Sequence, residues 1–328
     1  MIIVMITSGL GNQMYQYAMC KRLSLRYPET TVKADITRFR LYGAHQGFEL
    51  KRVFEHPGSP FHLEVAGNRE IFKTGGGIPI WSDSRLMRKL ERARVWYNRK
   101  ADRVSRLLGT YRIIDESFLC DRCRYNEEVF DRLMHLDMQE DWSVRGYWEH
   151  ENYYSGILPE LRRDFCFPEI QDGRNREICQ EIRDSHSVSI HVRRGDYVGS
   201  QFDILTMEYY RRAVDWIREN TEGDRFFVFS DDEEYAGEAF SWLDRKTVVS
   251  HNRAENSFRD MQLMSLCRHN IIANSTFSTW AGLLNQNPGR RVVYPDHFTR
   301  GGDLRIRNLE GWYPVEVQWD DCSGDMRG

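Results

Sequence analysis

The sequence predicts an α/β protein of two Rossmann-like domains facing a cleft. Short β-prone apolar runs alternate with helix-period segments in both halves of the chain, which implies parallel sheets covered on both faces. The chain has 328 residues, more than one ordinary domain needs. Around residues 155–175 the pattern is punctuated by Pro159, Pro168 and Gly173. The first domain is therefore expected over 1–160 and the second over 161–328, with the extreme C-terminus packing back on the first.

Residues 2–6 (IIVMI) form a continuous β-prone apolar run, followed by Gly9 and Gly11. The stretch NQMYQYAMCKRLSLRY then places Met14, Tyr17, Ala18 and Leu25 near helical spacing, and TVKAD at 31–35 reads as the next strand. Strand, glycine turn, helix and strand make a Rossmann-like opening unit. Gly9 and Gly11 match the first two glycines of G-x-G-x-x-G, and Asp35 falls where a ribose-binding acid would stand. The third glycine position holds Met14, so the fingerprint is incomplete. An NAD-dependent oxidoreductase is one reading of this loop. A turn that lets backbone approach a ligand is the other.

Residues 83–108 carry nine Arg and Lys against three Asp and Glu. A solvated helix pair fits this composition. So does a basic face resting on the inner membrane surface or receiving a charged acceptor. The second half is more regular. Strands are expected at 187–192, 225–230, 246–250, 270–274 and 290–295. Helices are expected at 207–220 and 257–269, and from Ser275 onward.

Apolar residues make up 41% and aromatics 13%, enough for a substantial core, and the net charge is −3. The molecule as a whole is thus no binder of nucleic acid, and any anion site must be a local concentration of charge. Seven scattered cysteines argue against a disulfide framework and for a reducing compartment. Cys120 and Cys123 form one C-x-x-C without a second pair at zinc spacing, so no metal site is expected. The first apolar run is too short for a secretion signal and no stretch reaches membrane-spanning length. These features fit a soluble, cytoplasmic protein, in which the sequon Asn274-Ser275-Thr276 stays bare.

In an open parallel sheet, ligands bind beyond the carboxyl ends of the strands. VSIHVRRGDYV (188–198) delivers His191, Arg193, Arg194 and Asp196 there; RFFVFSDD delivers Ser230, Asp231 and Asp232; NIIANSTFS delivers Asn274, Ser275, Thr276 and Ser278 at a helix start. Free N–H groups and the helix dipole favour an anion at the last of these. Arginine adds a planar, permanently charged fork suited to phosphate. Each piece has a plainer reading: an N-cap at Ser275 or Thr276, a cap from Asp231 or Asp232, an ion pair of Arg193 with Asp196. Two adjacent guanidiniums are costly to desolvate without an anion, and together the pieces point to a pyrophosphate.

GLGNQMYQYA, HVRRGDYV, FSDD and NSTFSTWAGLLN resemble, in order and approximate spacing, the motifs of glycosyltransferase family 11, the α-1,2-fucosyltransferases. The resemblance spans residues 5–298. It implies a GT-B-like pair of domains, the first on the acceptor side and the second binding donor. It further implies GDP-β-L-fucose as donor, an oligosaccharide or glycolipid acceptor ending in a galactose-type residue, inversion at the anomeric carbon, and neither metal nor other cofactor. By the same resemblance, His191 and Arg193 belong to an H-x-R-R motif, with Arg193 on the donor pyrophosphate and Arg194 bracing the loop. Asp232, with Asp231 beside it, matches the acid that reads guanine. Ser275, Thr276, Phe277 and Ser278 match the turn holding the phosphates, with Phe277 against the base. Gly9, Gly11, Asn12 and Gln13 match a loop reaching donor and acceptor. For the general base, Asp196 is a candidate, with a salt bridge to the arginines as its rival role; Asn12 is a candidate for orienting the acceptor. Residues 60–150 match no motif.

Overall fold

The computed structural model describes residues 1–40, 46–74, 113–115, 125–300 and 309–318. The basic segment 83–108, Cys120, Cys123 and the extreme C-terminus lie outside the described residues. The chain forms two compact units, Met1–Pro168 and Glu169–Gly328.

The first unit is built on a parallel sheet of four strands: β1 (Ile2–Met5), β2 (Val32–Asp35), β3 (Ile113–Asp115) and β4 (Trp142–Arg145), in the order β2-β1-β4-β3. β1 is flanked on both sides, which is why its run is apolar without alternation. Helix α1 (Leu10–Arg26) follows it and buries Leu10, Met14, Tyr17, Ala18 and Leu23. Leu25, expected on that apolar face, is 51% exposed. β3 and β4 arise in the region that matched no motif. Both are short, and β4 reads WSVR, too mixed to register as a buried strand.

The boundary falls at residue 168 instead of 160 because the punctuation at Pro159 begins an element. Pro159 sits in the first turn of a helix, Leu158–Asp164, where its missing N–H costs nothing. Asp164 at the end of that helix accepts from the Tyr17 hydroxyl at 2.7 Å and pairs with Lys21 at 2.8 Å, so the helix belongs to α1 and the first unit. Gly173 likewise starts a helix, Gly173–Arg183, capped by Asp172.

The second unit holds six parallel strands: β5 (Ser187–Val192), β6 (Arg225–Ser230), β7 (Lys246–Val249), β8 (His269–Ile271), β9 (Val292–Pro295) and β10 (Trp312–Val315). Their order is β10-β9-β8-β5-β6-β7. The chain runs outward through β6 and β7, then resumes on the other side of β5. That reversal opens a crevice at the carboxyl ends of β5 and β8, the usual ligand position in such sheets. All six residues of β5 are buried. Val188, Ile190, Val192, Val228, Ile217 and Phe240 belong to one core cluster. β8 ends at Ile271, ahead of the expected 274. Ile272 still donates to Val293 at 2.9 Å, but the Asn274 amide is drawn away to the Phe202 and Phe298 carbonyls at 2.9 and 2.8 Å. β10 went unexpected. It contains Pro314, which cannot donate to a ladder and is tolerated because the strand lies at the sheet edge.

Candidate functional site

His191 is the fifth residue of β5, and its ring is only 7% exposed. Nδ1 is buried with no hydrogen-bond partner. The ring lies 5.8 Å from that of Phe277, centroid to centroid, at 36°. Burial, reinforced by the positive charge of Arg193, pushes its pKa down to about 3. His191 is therefore neutral at ordinary pH.

Arg193 leaves the end of the strand between two carboxylates. Nε and Nη2 reach Asp196 Oδ1 at 2.9 and 2.7 Å, and Nη1 reaches Asp231 Oδ2 at 2.8 Å. A guanidinium has five N–H donors. These contacts engage three and leave one on each terminal nitrogen. The guanidinium carbon also sits 5.8 Å from the Tyr197 ring centroid. Arg194 turns the other way: its guanidinium stacks 3.9 Å over the Tyr235 ring, and its backbone N–H donates to Asp231 Oδ1 at 2.9 Å. Its backbone N–H ties the turn to the end of β6.

The helix α10, numbering the described α-helices in chain order, spans Thr276–Leu284 and starts at the crevice. Ser275 is its N-cap, but the Ser275 hydroxyl makes no capping bond, and no acid lies in the first turn. The positive end of the helix dipole is thus not offset by its own cap. Thr276 and Phe277 are half-buried, while Ser278 is fully buried with its hydroxyl on the Ser275 carbonyl at 3.4 Å. Ser278 can offer a ligand its backbone N–H but not its side chain.

The acid pair at the end of β6 divides its contacts between a helix start and the arginines. Asp232 caps the helix Glu233–Ala239, accepting from the Tyr235 N–H at 3.1 Å. Asp231 spends one oxygen on Arg193 and the other on Arg194. The reason is local: a strand that runs into a helix calls for a cap, and the Arg193 guanidinium and the Arg194 backbone N–H both face Asp231. Asp196 meets Arg193 through Oδ1 alone.

In the first unit, Gly9 is the N-cap of α1 with an ordinary extended backbone (φ −76°), and the left-handed conformation falls on Ser8 (φ 68°). Gly11 is buried, and Asn12 Oδ1 is buried without a partner. Gln13 is fully buried, with its amide donating to the Ser8 and Gly47 carbonyls at 2.8 Å each and accepting from the Glu49 N–H at 2.9 Å. It fastens a loop and is not presented to a ligand, contrary to expectation. The α1 N-terminus is already served by an internal anion: the Glu49 carboxylate accepts from the Leu10 N–H and pairs with Arg52 at 2.8 Å. Burial raises the pKa of Glu49. Asp35 is buried and turned onto the Thr37 N–H and hydroxyl at 2.9 and 2.6 Å. A dinucleotide pyrophosphate and ribose thus find both of their places taken, which corrects the oxidoreductase reading.

The structure brings His191, Arg193, Arg194, Asp196, Asp231, Asp232 and residues 275–278 to adjacent strand ends of the second unit. It places Gly9, Gly11, Asn12 and Gln13 in the first unit, after β1. Sequence reasoning missed Tyr197, whose hydroxyl donates to the Asn274 carbonyl at 3.2 Å, and Tyr235 under Arg194. Neither stands in a pattern that marks it; only the folded loops give them partners. Among the described residues, no group of three His, Cys, Asp or Glu is gathered that could hold a metal ion. Cys20, Cys166, Cys179 and Cys267 are free thiols. No helix among the described residues is long and apolar enough to cross a membrane.

A family model described as glycosyl transferase family 11 matches residues 116–300. The chain is 32% identical over 322 residues to the O-antigen biosynthesis glycosyltransferase WbnK of Escherichia coli, covering 94% of this chain and 98% of that protein. It is 27% identical over 328 residues to an alpha-1,2-colitosyltransferase of Escherichia coli, covering 97% of each. A solved structure of an Arabidopsis thaliana FUT1 mutant in complex with GDP matches with a TM-score of 0.50 at 12% identity, over 89% of this chain and 70% of that one, a likeness of fold.

Proposed function

Because the chain belongs to glycosyltransferase family 11, we propose that it is an inverting, metal-independent fucosyltransferase. It transfers L-fucose from GDP-β-L-fucose to the 2-hydroxyl of a terminal galactose-type residue on an oligosaccharide or glycolipid. The observation that carries this reading is Arg193, pinned at the end of β5 with a free N–H on each terminal nitrogen, in the same sheet crevice as the uncapped start of α10.

The chemistry follows from that arrangement. The acceptor oxygen attacks the anomeric carbon as the bond to the β-phosphate oxygen breaks, and negative charge grows on the departing diphosphate. Arg193 and the first-turn N–H groups of α10 stabilise that charge more than they stabilise the ground state, which is what lowers the barrier. They supply the positive potential that a divalent metal supplies in other enzymes. The acceptor proton passes to a base; Asp196, with Oδ1 on Arg193, is assigned Oδ2 for it. The reaction is placed in the cytoplasm, and a peripheral contact with the membrane surface belongs to this proposal.

A second reading keeps the reaction and changes the sugar. The relative named an alpha-1,2-colitosyltransferase favours colitose, which has one hydroxyl fewer than fucose, as the group transferred.

Thermal unfolding with GDP, UDP, ADP and NAD tests the donor class. A ligand at 100 times its dissociation constant adds about 2.7 kcal/mol of stability. GDP alone is expected to stabilise; stabilisation by NAD alone overturns the reading. Linkage analysis of products made from GDP-fucose or GDP-colitose on a galactose-terminated acceptor then separates the two sugars and tests the 1,2 linkage.

A further inference from the structure

We infer that Asp231 is a positioning residue that holds Arg193 and Arg194 in the orientation a diphosphate meets, and that it contacts no part of the donor itself. This deepens the proposed donor site and rests on that reading.

The placement begins in the sheet. β5 and β6 run parallel with Val192 opposite Ser230, so the residues just past each strand end stand side by side. Asp231 is set beside Arg193 by strand register and not by a loop's choice, and strand-borne groups are the more sharply positioned. Both of its oxygens are committed: Oδ2 to Arg193 Nη1 at 2.8 Å, and Oδ1 to the Arg194 backbone N–H at 2.9 Å. One bond fixes the guanidinium and the other fixes the chain that carries it.

Gly195 completes the clamp. A Cβ at that position would lie 2.7 Å from Asp231 Oδ2 and 3.5 Å from its carboxyl carbon. The absence of a side chain at residue 195 is therefore what lets the carboxylate close on the turn. This gives the glycine of the R-R-G-D stretch a steric reason, and φ plays no part in it.

The charges give the inference a signature. The Arg193 guanidinium is paired with both Asp196 and Asp231, while the Arg194 guanidinium lies over Tyr235. An acid that reads a guanine edge, once neutralised, weakens binding of the nucleotide. An acid that only positions the arginines leaves a more positive site when neutralised, so binding of a diphosphate is held or tightened. What is lost is the fixed direction of Arg193, which matters most as charge develops in the transition state. In Asp231→Asn one amide hydrogen-bond acceptor remains, but the Nδ2 group sets donor against donor at Arg193 or Arg194.

The test has three parts. Asp231→Asn is expected to lower kcat about 10–100-fold, the factor by which loss of the groups that orient metal ligands lowers activity, applied here to a group that orients Arg193. The GDP dissociation constant is expected to stay level or fall, with GDP-over-ADP preference intact. Gly195→Ala is expected to cost a similar factor in the wild type and nothing further in Asp231→Ser, where the shorter side chain removes the collision. Without any donor, the ¹⁵N side-chain spectrum of the wild type is expected to show hindered rotation of the Arg193 guanidinium, lost in Asp231→Asn. Unchanged kcat in a folded Asp231→Asn, a weakened GDP complex with ADP discrimination lost, or an unaltered Arg193 signal each overturns the inference. A wild type that ignores GDP overturns the donor reading instead, and the Arg193 spectrum still decides the positioning.

Discussion

The Tyr197 hydroxyl donates to the Asn274 carbonyl at 3.2 Å, which ties the loop after β5 to the turn before α10. The Tyr197 ring also lies beside the Arg193 guanidinium and stacks on Phe202 at 5.1 Å. One side chain thus links the arginine of the site to the chain that leads into its helix. Tyr197→Phe removes only the hydroxyl. It is expected to cost about 0.5–1.5 kcal/mol of stability and to lower turnover, because the loop it releases carries Arg193. Urea denaturation alongside transfer assays checks this; full turnover in a destabilised variant would show that the tie serves folding alone.

Arg193→Lys keeps the charge and discards the fork. A lysine ammonium cannot pair with Asp196 and Asp231 and also present two parallel donors to a phosphate. Turnover is expected to fall by about 10²–10³, with the circular dichroism spectrum unchanged. Near-normal turnover would remove bidentate recognition from the mechanism.

His191 has a folded pKa of about 3, against 6.5 for the free side chain. Between those values the unfolded chain binds a proton that the folded protein refuses, so stability rises with pH across the window. The contribution is complete above pH 6.5 and is lost as pH falls toward 3. His191→Gln should lose stability less steeply than the wild type between pH 7 and pH 4.5, measured by urea midpoint. Equal slopes would place the His191 ring in contact with water.

Glu49 serves the α1 N-terminus from inside the first unit. Glu49→Ala strips the Leu10 N–H of its acceptor and removes one carboxylate partner of Arg52; about 1–3 kcal/mol of destabilisation is expected. Glu49→Gln keeps an acceptor for that N–H and should recover part of the loss. Indistinguishable denaturation midpoints for Ala and Gln would mean the ion pair, and not the bond to the helix start, carries the effect.

Much of the fold was legible because its strongest segments speak locally. RFFVFS carries a continuous apolar run, and SVSIHV alternates Val188, Ile190 and Val192 with Ser189 and His191 at the strand period; both occupy the expected residues as β6 and β5. MEYYRRAVDWIREN has the helical period and forms the helix Met207–Asn220. Where local signals are ambiguous the reading slipped. Pro159 marks a helix start as readily as a break. The β4 stretch WSVR is a strand only because β1 and β3 lie on either side of it.

The site divides along the same line. The residue types alone determined that guanidiniums, carboxylates and a hydroxyl-rich helix start gather at the ends of parallel strands, because strand ends in such sheets are where polar side chains escape the core. Only the tertiary structure decided which carboxylate faces which arginine, that Gln13 and Glu49 are consumed inside the first unit, and that Ser275 leaves its helix uncapped. Those choices depend on hydrogen bonds between residues far apart in the chain, such as Arg194 with Asp231 and Tyr197 with Asn274. Strand register and side-chain reach set them, and neither is written in the order of the letters.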